Sequence, residues 1–598
     1  MPGSWSERGS AAVDGGDLEL AKQCFSRAVR DEGSNARHRF HLAVVLEGLG
    51  ELAAAARELT QALRLDPHRE EAARRLAALS RRPDFGNSDH AQLNAVGLRH
   101  GLNHVRVDQK AIANVAVRVL VTGRSLQNAF ATGKAQGWLE AARRLCLERT
   151  SPILKDELFL EVLRTSTLSN PELESLLTAV RRVLILEVAP TRFGDHALVG
   201  FAVAMLQQCW INQFVWAVSE DERQRLAPEE VPLDRLAGGD LEAGHCILRH
   251  CLYAPLRSVL GDEAAPEALN RLEPRALREI VVRRLAVERD ERARAAGMQR
   301  LGNIDGATSR RVGRFYEESP YPRWSTVIIS RDHRATLARF LGEQRAAFLE
   351  RPFEVLIAGC GTGQQVVQAA LHYGPNARIL AVDLSAASLG YAARMAESFG
   401  VKNVEFARAD LETFASTEPQ FAGRFQLIEA VGVLHHMAEP FAGWRALLGC
   451  LAPHGLMRIG LYSAIARRNL TALRNDPAYP GPGCDDQALR AFRQSLLARQ
   501  DEQARDARKY VDFWDARSFR DMVLHVCEHR LALAEIARFL EAERLAFRGF
   551  QLSKGSQAMF WQRFAFETWP GSLENWARFE KEWPQLFENM YLFWCEKT

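Results

Sequence analysis

Five residues, Gly359-Cys360-Gly361-Thr362-Gly363, follow directly on the apolar run Val355-Leu356-Ile357-Ala358, and Asp383 closes the next apolar run, Arg378-Ile379-Leu380-Ala381-Val382. Glycines at a strand end let the backbone turn sharply and approach a ligand that a Cβ would push away. The acid lies 20 residues beyond Gly363, where a carboxylate can accept both hydroxyls of a ribose. The chemistry implied is nucleoside binding. The dinucleotide fingerprint G-x-G-x-x-G needs a third glycine three places after the second. That place holds Gln364, so the spacing here is G-x-G-x-G and the dinucleotide fingerprint fails.

The glycine loop and the segments after it resemble the class I S-adenosylmethionine (SAM)-dependent methyltransferases. A helical stretch, Ala386 to Gly400, leads to a strand, Val404 to Leu411, that carries Asp410. Phe425 to Val431 is similar to the family's fourth strand, and Gly432-Val433-Leu434-His435-His436 to the loop facing the transferred methyl. A helix patterned on Trp444, Leu447, Leu448 and Leu451 then ends at Pro453-His454-Gly455, before a fifth strand, Leu456 to Tyr462. The resemblance implies SAM as cofactor. Gly359, Gly361 and Gly363 would cradle it and Asp383 would take the ribose. Asp410 would accept from the adenine amino group, and the backbone N–H of neighbouring Leu411 would read the ring.

SAM carries an activated methyl, so the enzyme's task is to hold nucleophile, methyl and sulfur in line in a dry pocket. No metal is expected. Candidates on the acceptor side are Glu429, His435, His436, Tyr462, His525, Glu528 and His529. A histidine near its intrinsic pKa can take a proton from an amine, hydroxyl or acid as the methyl moves. The alternative is that His435 and His436 only pack at the end of their loop. His525-Val526-Cys527-Glu528-His529 also spells the inverted zinc-peptidase motif H-x-x-E-H, which on a helix would put both histidines on one face. Late in a methyltransferase-like segment it reads instead as a substrate-facing cluster or a polar helix start. The N/D-P-P-Y/F loop of base-methylating enzymes is missing at Gly432 to His435, which disfavours methylation of a flipped base. Glu429 and Glu439 do not match the surroundings of the paired glutamates that grip a guanidinium in arginine methyltransferases.

The elements that position these residues occupy the second half of a chain of 598 residues, long enough for roughly four domains. The composition is that of a soluble globular protein, 47% hydrophobic and 25% charged, with a net charge of +3 that calls for no obligatory nucleic-acid partner. No apolar stretch reaches the ~18 residues that span a bilayer. Met1 to Arg8 lacks the apolar core of a signal peptide, and the ten cysteines include no C-x-x-C pair. The expected location is the cytoplasm.

The first 80 residues contain a repeat: Gly16-Asp17-Leu18, Ala21, Phe25 and Ala28 recur 34 residues on as Gly50-Glu51-Leu52, Ala55, Leu59 and Ala62. The period resembles tetratricopeptide repeats, completed by a capping helix from Glu70 to Leu79. Such a surface would bind a protein or peptide or support a homodimer; the plainer reading is a structural cap. Residues 81–95 read as a linker and 96–305 as a helical domain without an assigned role. One helix there starts at Asn170-Pro171, and the charge-dense stretch Arg283 to Arg300 reads as a solvated helix. Residues 306–350 hold the aromatic-proline segment Phe315-Tyr316-Glu317-Glu318-Ser319-Pro320-Tyr321-Pro322-Arg323-Trp324. This segment and Asp521 to Arg530 resemble bacterial proteins that join tetratricopeptide repeats to a methyltransferase domain.

The expected fold is therefore multidomain: a repeat-bearing, helical N-terminal half, then a Rossmann-like α/β domain over 351–598 with a seven-stranded, mostly parallel sheet. Within it, 464–521 is an insertion suited to a substrate lid, containing one polar helix from Asp485 to Tyr510. The domain ends in a helix from Leu533 and strands at Phe547–Leu552 and Met590–Cys595. The function expected is SAM-dependent methylation of a protein or peptide recruited by the repeats. The alternatives are methylation of a small molecule, or a SAM-binding scaffold without turnover.

Overall fold

A computed structural model of the chain describes residues 4–82, 84–85, 90, 92–148, 151–226, 240–261, 269–318, 320–328, 337–338, 340 and 342–598. Parts of the expected linker (83, 86–89, 91) and of the aromatic-proline region (319, 329–336, 339, 341) lie outside the described residues. The chain divides into two compact units, Met1–Leu285 with Thr326–Ile328, and Ala286–Ser325 with Ile329–Thr598.

In the first unit the 34-residue period becomes a repeat of helices. Helix Leu18–Asp31 and helix Leu52–Leu65 have the same length, and both boundaries shift by the period. Ala21, Ala28, Ala55 and Ala62 are all buried, so small residues occupy equivalent packing positions in both. Helix Pro171–Leu186 begins as its sequence demands, with Asn170 Oδ1 accepting from the Leu173 N–H at 2.9 Å and proline at the first position. Helix His196–Ile211 is buried along nearly its whole circumference, which explains its lack of an amphipathic stripe.

The second unit is built on a sheet of eight strands among the described residues: β1 (Gln299–Leu301), β2 (Phe353–Ala358), β3 (Ala377–Asp383), β4 (Val404–Ala409), β5 (Phe425–Val431), β6 (Leu451–Leu461), β7 (Leu545–Phe550) and β8 (Tyr591–Lys597). Their order is β1-β4-β3-β2-β5-β6-β8-β7. The pairings from β1 to β6 are parallel, and β8 joins β6 and β7 antiparallel. Alternate residues of β2 serve opposite faces: Leu356 and Ala358 join one hydrophobic cluster, Val355 and Ile357 the other. Burial on both faces accounts for the continuous apolar runs seen in the sequence. The strand order reverses between β2 and β5, the place where an open α/β sheet leaves a ligand crevice at its carboxyl edge.

The count of seven strands is corrected to eight. The charged helix, Arg275–Ala296, ends before Arg300, and the chain turns into β1, which pairs Gln299 to Leu301 with Ala407 to Ala409 on β4. Three residues at a sheet edge are too short to show a strand period. The fifth of the expected strands starts early, at Leu451, because a register shift against β5 between Leu451 and Leu456 absorbs Pro453 in a bulge. The single polar helix at Asp485–Tyr510 is two, Asp486–Ala498 and Glu502–Lys509. Asp501 caps the second, its side chain accepting from the Ala504 N–H at 3.0 Å. The inverted H-x-x-E-H motif does not form a helix. Helix Ala516–Leu524 ends at His525, and the next described helix begins at Leu533.

Candidate functional site

A cavity of about 390 Å³ opens at the carboxyl ends of β2 and β5. One wall is the glycine loop, whose shape depends on two positions. Gly359 has φ +66°, and a Cβ there would meet Val433 Cγ2 at 2.2 Å. Gly363 has φ +80° and caps helix Gln364–Tyr373, and its Cβ would lie 2.6 Å from the Ala392 Cβ. Gly359 and Gly361 line the cavity, whereas Gly363 serves the packing of two helices behind it.

Asp383 and Asp410 end neighbouring strands and both reach the cavity. Asp383 Oδ2 accepts from the Gly361 N–H at 2.8 Å and Oδ1 from the Ser385 N–H at 2.9 Å, while burial raises its pKa. Asp410 caps helix Leu411–Thr417 with Oδ1, which accepts from the Glu412 N–H at 3.0 Å. Its Oδ2 is buried without a partner. A buried carboxylate oxygen left bare is costly unless a ligand donates to it. An adenine amino group would do so. Leu411 lines the same corner, and its N–H belongs to the first helical turn, where amides lack an intrahelical acceptor.

A strap closes the loop side. The Thr362 hydroxyl donates to the Pro322 carbonyl, and Trp324 Nε1 donates to the Thr362 carbonyl at 2.9 Å. The Tyr391 hydroxyl donates to the Trp324 carbonyl, and Glu291 joins Arg323 (3.2 Å) to Arg394 (2.9 Å). Tyr321 and Pro322 therefore form cavity wall, as do Thr308, Val312 and Tyr316 from helix Ala307–Glu318.

The acceptor-side candidates separate. His436 and Tyr462 line the cavity; Glu429, His435 and His525 are not part of its lining. Glu429 is buried on β5 as a hub, paired with Arg458 Nη1 at 2.9 Å and accepting from Gln365 and the Tyr373 hydroxyl. A carboxylate so fully engaged is a structural acceptor. His435 is fully buried, stacked on Tyr462 at 3.8 Å between centroids, and burial drives its pKa well down, so the ring is neutral. His436 Nδ1 lies 2.8 Å from the Cys527 carbonyl, and burial lowers its pKa to about 4. His525 packs its ring on His436 at 3.8 Å. Glu528 is held by Arg467 (3.4 Å) and Arg530 (3.3 Å), and the His529 N–H donates to the His435 carbonyl at 2.8 Å.

Sequence reasoning missed Asp521, Tyr316 and Tyr321. Asp521 is the member of the 464–521 insertion that lines the cavity, and its Oδ1 accepts from the Tyr316 hydroxyl at 2.7 Å. All three lie in segments whose aromatic or acidic residues were conspicuous, but none carries a local motif.

Comparison with known proteins bears on this geometry. Residues 351–500 match the family model described as a methyltransferase domain. An uncharacterized protein of Synechococcus sp. is 32% identical over 214 residues, 34% of this chain and 50% of the relative. An uncharacterized protein of Rickettsia prowazekii is 31% identical over 119 residues, 20% of each chain. The chain thus spans half or less of the length of these curated relatives. Among solved structures, PKMT2 from Rickettsia typhi in complex with AdoHcy aligns with 46% of this chain and 54% of its own at 15% identity, with a TM-score of 0.32. Residues 351–500 match a methyltransferase domain, and S-adenosylmethionine is the cofactor that this match supports.

Proposed function

We propose that the protein transfers the methyl group of SAM to a protein or peptide acceptor recruited by residues 1–80. The observation that carries the transfer is the pair of carboxylates around the glycine loop, Asp383 facing the loop and Asp410 with a buried oxygen that lacks a donor. Their spacing along one sheet edge suits a ribose followed by an adenine, and the third side of the cavity holds His436, Tyr462 and Asp521, where an acceptor would enter. Support for a macromolecular acceptor comes from the helix pairs of the first 80 residues. Their 34-residue period and buried alanines are like those of tetratricopeptide repeats, whose stacked helices present a concave peptide-binding surface.

The test is transfer from methyl-tritiated SAM into a host-cell lysate fractionated by size, with Asp383→Ala as control. Label in discrete macromolecular bands, lost in the variant, is the expected result. Label confined to small metabolites would move the acceptor to that class. Binding of S-adenosylhomocysteine with no labelled product would leave a scaffold without turnover.

A further inference from the structure

Three stretches far apart in sequence meet at the acceptor end of the cavity. Tyr316 comes from helix Ala307–Glu318, His436 from the loop after β5, Asp521 from helix Ala516–Leu524, and His525 caps that helix. Ligand-type atoms of His436, Asp521 and His525 all lie within 4.8 Å of one another, and all three residues are buried.

The peptide of Cys527 assigns the protons. Its carbonyl is 2.8 Å from His436 Nδ1, so Nδ1 carries the hydrogen and Nε2 of the neutral ring keeps a lone pair. Its N–H donates to His525 Nδ1 at 3.0 Å, so the hydrogen of that ring is on Nε2, 3.2 Å from the Tyr316 hydroxyl. Tyr316 accepts there and donates its own hydrogen to Asp521 Oδ1 at 2.7 Å. The backbone of one residue thus fixes two neighbouring imidazoles in opposite tautomers, and the second begins a chain of donors that ends on a carboxylate.

We propose that Asp521 receives the proton lost by the methyl acceptor, that the lone pair on His436 Nε2 orients the acceptor's X–H bond, and that Tyr316 and His525 are positioning residues for the carboxylate. The inference rests on the methyl-transfer reading. With SAM bound, the S–CH3 bond breaks and its electron pair stays on sulfur, the X–CH3 bond forms, and the proton on X passes to Asp521, so that the sulfonium and carboxylate charges vanish together. The acceptor class this serves is a neutral nitrogen nucleophile bearing at least two hydrogens, one held by His436 Nε2 and one passed to Asp521.

The surroundings fit a carboxylate that cycles between charged and neutral. Burial raises the Asp521 pKa to about 6; Glu528 pushes the same way, and the Tyr316 hydrogen bond and Arg467 oppose it. Tyr321 and Tyr462 face the same carboxylate, and burial pushes both phenols up. Burial pushes the pKa values of His436 and His525 down, so these rings stay neutral while Asp521 titrates. Two histidines and a carboxylate also have the residue types of a metal site. A metal-bound histidine ordinarily donates its other N–H. His436 does so, but His525 has the reverse arrangement, which leaves no lone pair on Nε2.

The experiment measures tritium transfer from methyl-labelled SAM into host-cell lysate by the full chain between pH 5 and 8. It is paired with calorimetry of S-adenosylhomocysteine and nitrogen-15 NMR of the histidine side chains, assigned with His436→Asn and His525→Asn. The wild-type rate should fall about tenfold per pH unit below pH ~6, where the base becomes protonated. Asp521→Asn should lower the rate roughly 100-fold or more and abolish that acid limb, with S-adenosylhomocysteine affinity kept. Tyr316→Phe should move the limb to higher pH, since the carboxylate loses a donor, with a smaller loss of rate. The NMR spectra, which need no acceptor, should give His436 as the Nδ1–H and His525 as the Nε2–H tautomer. Undiminished labelling by Asp521→Asn would overturn the proposal and leave methyl transfer standing. Wild type that binds S-adenosylhomocysteine but labels nothing would remove both. If Asp521→Asn fails to fold, the Tyr316→Phe limb and the tautomers decide. Reversed tautomers, or a stoichiometric divalent metal in the purified protein, would replace the proton acceptor with a metal centre.

Discussion

At the scale of single residues, the glycine-loop cavity depends on a carboxylate that does two jobs. Asp410 caps a helix with Oδ1 and leaves Oδ2 bare in the cavity. Asp410→Asn separates these jobs, because the amide oxygen can keep the cap while an NH2 group replaces the free acceptor. Facing the adenine amino group, two donors would then oppose each other. The expected outcome in calorimetry is S-adenosylhomocysteine affinity weakened by roughly 10- to 100-fold, about 1.4–2.8 kcal/mol, with the melting temperature within a few degrees of wild type. Unchanged affinity would place adenine elsewhere. The glycines and Asp383 were legible in the sequence because the loop and its acid form one local motif. Asp410 and Leu411 followed from a family resemblance, since the bare oxygen appears only when the fold buries it. Asp521 and Tyr316 were not legible as a pair: they stand 205 positions apart and meet by a single hydrogen bond.

At the scale of elements, the strap at Tyr321–Trp324 explains why conspicuous aromatics and prolines precede the sheet. Glu291, on the long helix Arg275–Ala296, is buried between Arg323 of the strap and Arg394 of helix Ala386–Ser398, and both guanidinium groups sit 5.0 Å from the Tyr391 ring. Removing that acid leaves two cations over one ring with nothing to divide them. Glu291→Gln keeps the shape and removes the charge. Because Pro322 and Trp324 hold Thr362, a loosened strap should weaken S-adenosylhomocysteine binding about tenfold, or ~1.4 kcal/mol, although Glu291 does not line the cavity. A lowered melting temperature with unaltered affinity would show the strap to be structural only. The elements themselves were largely readable where both faces of a strand are buried, as in β2 and β3. They were misread where pairing overrides local pattern: β1 is short and polar, and β6 runs through Pro453 only because a bulge takes the proline out of the ladder.

At the scale of the whole molecule, the division into two units raises the question of what the first contributes to the second. No described helix is long and apolar enough to cross a membrane. The boundary falls at Leu285/Ala286, inside helix Arg275–Ala296, so a fragment beginning at residue 286 would sever an element of the second unit. The intact helix matters there: Gly390 packs so closely on it that a Cβ would lie 2.3 Å from the Glu291 carbonyl oxygen. A fragment of residues 270–598 keeps the helix and all cavity-lining residues. The two hydrophobic clusters that flank the sheet are drawn entirely from residues within that fragment. The fragment should therefore bind S-adenosylhomocysteine within threefold of the full chain. If residues 1–80 recruit the acceptor, its labelling of macromolecular bands should fall tenfold or more at equal concentration, and raising the lysate concentration should restore part of it, because recruitment acts through local concentration. Equal labelling by fragment and full chain would assign the repeats to architecture and leave acceptor recognition to the cavity alone.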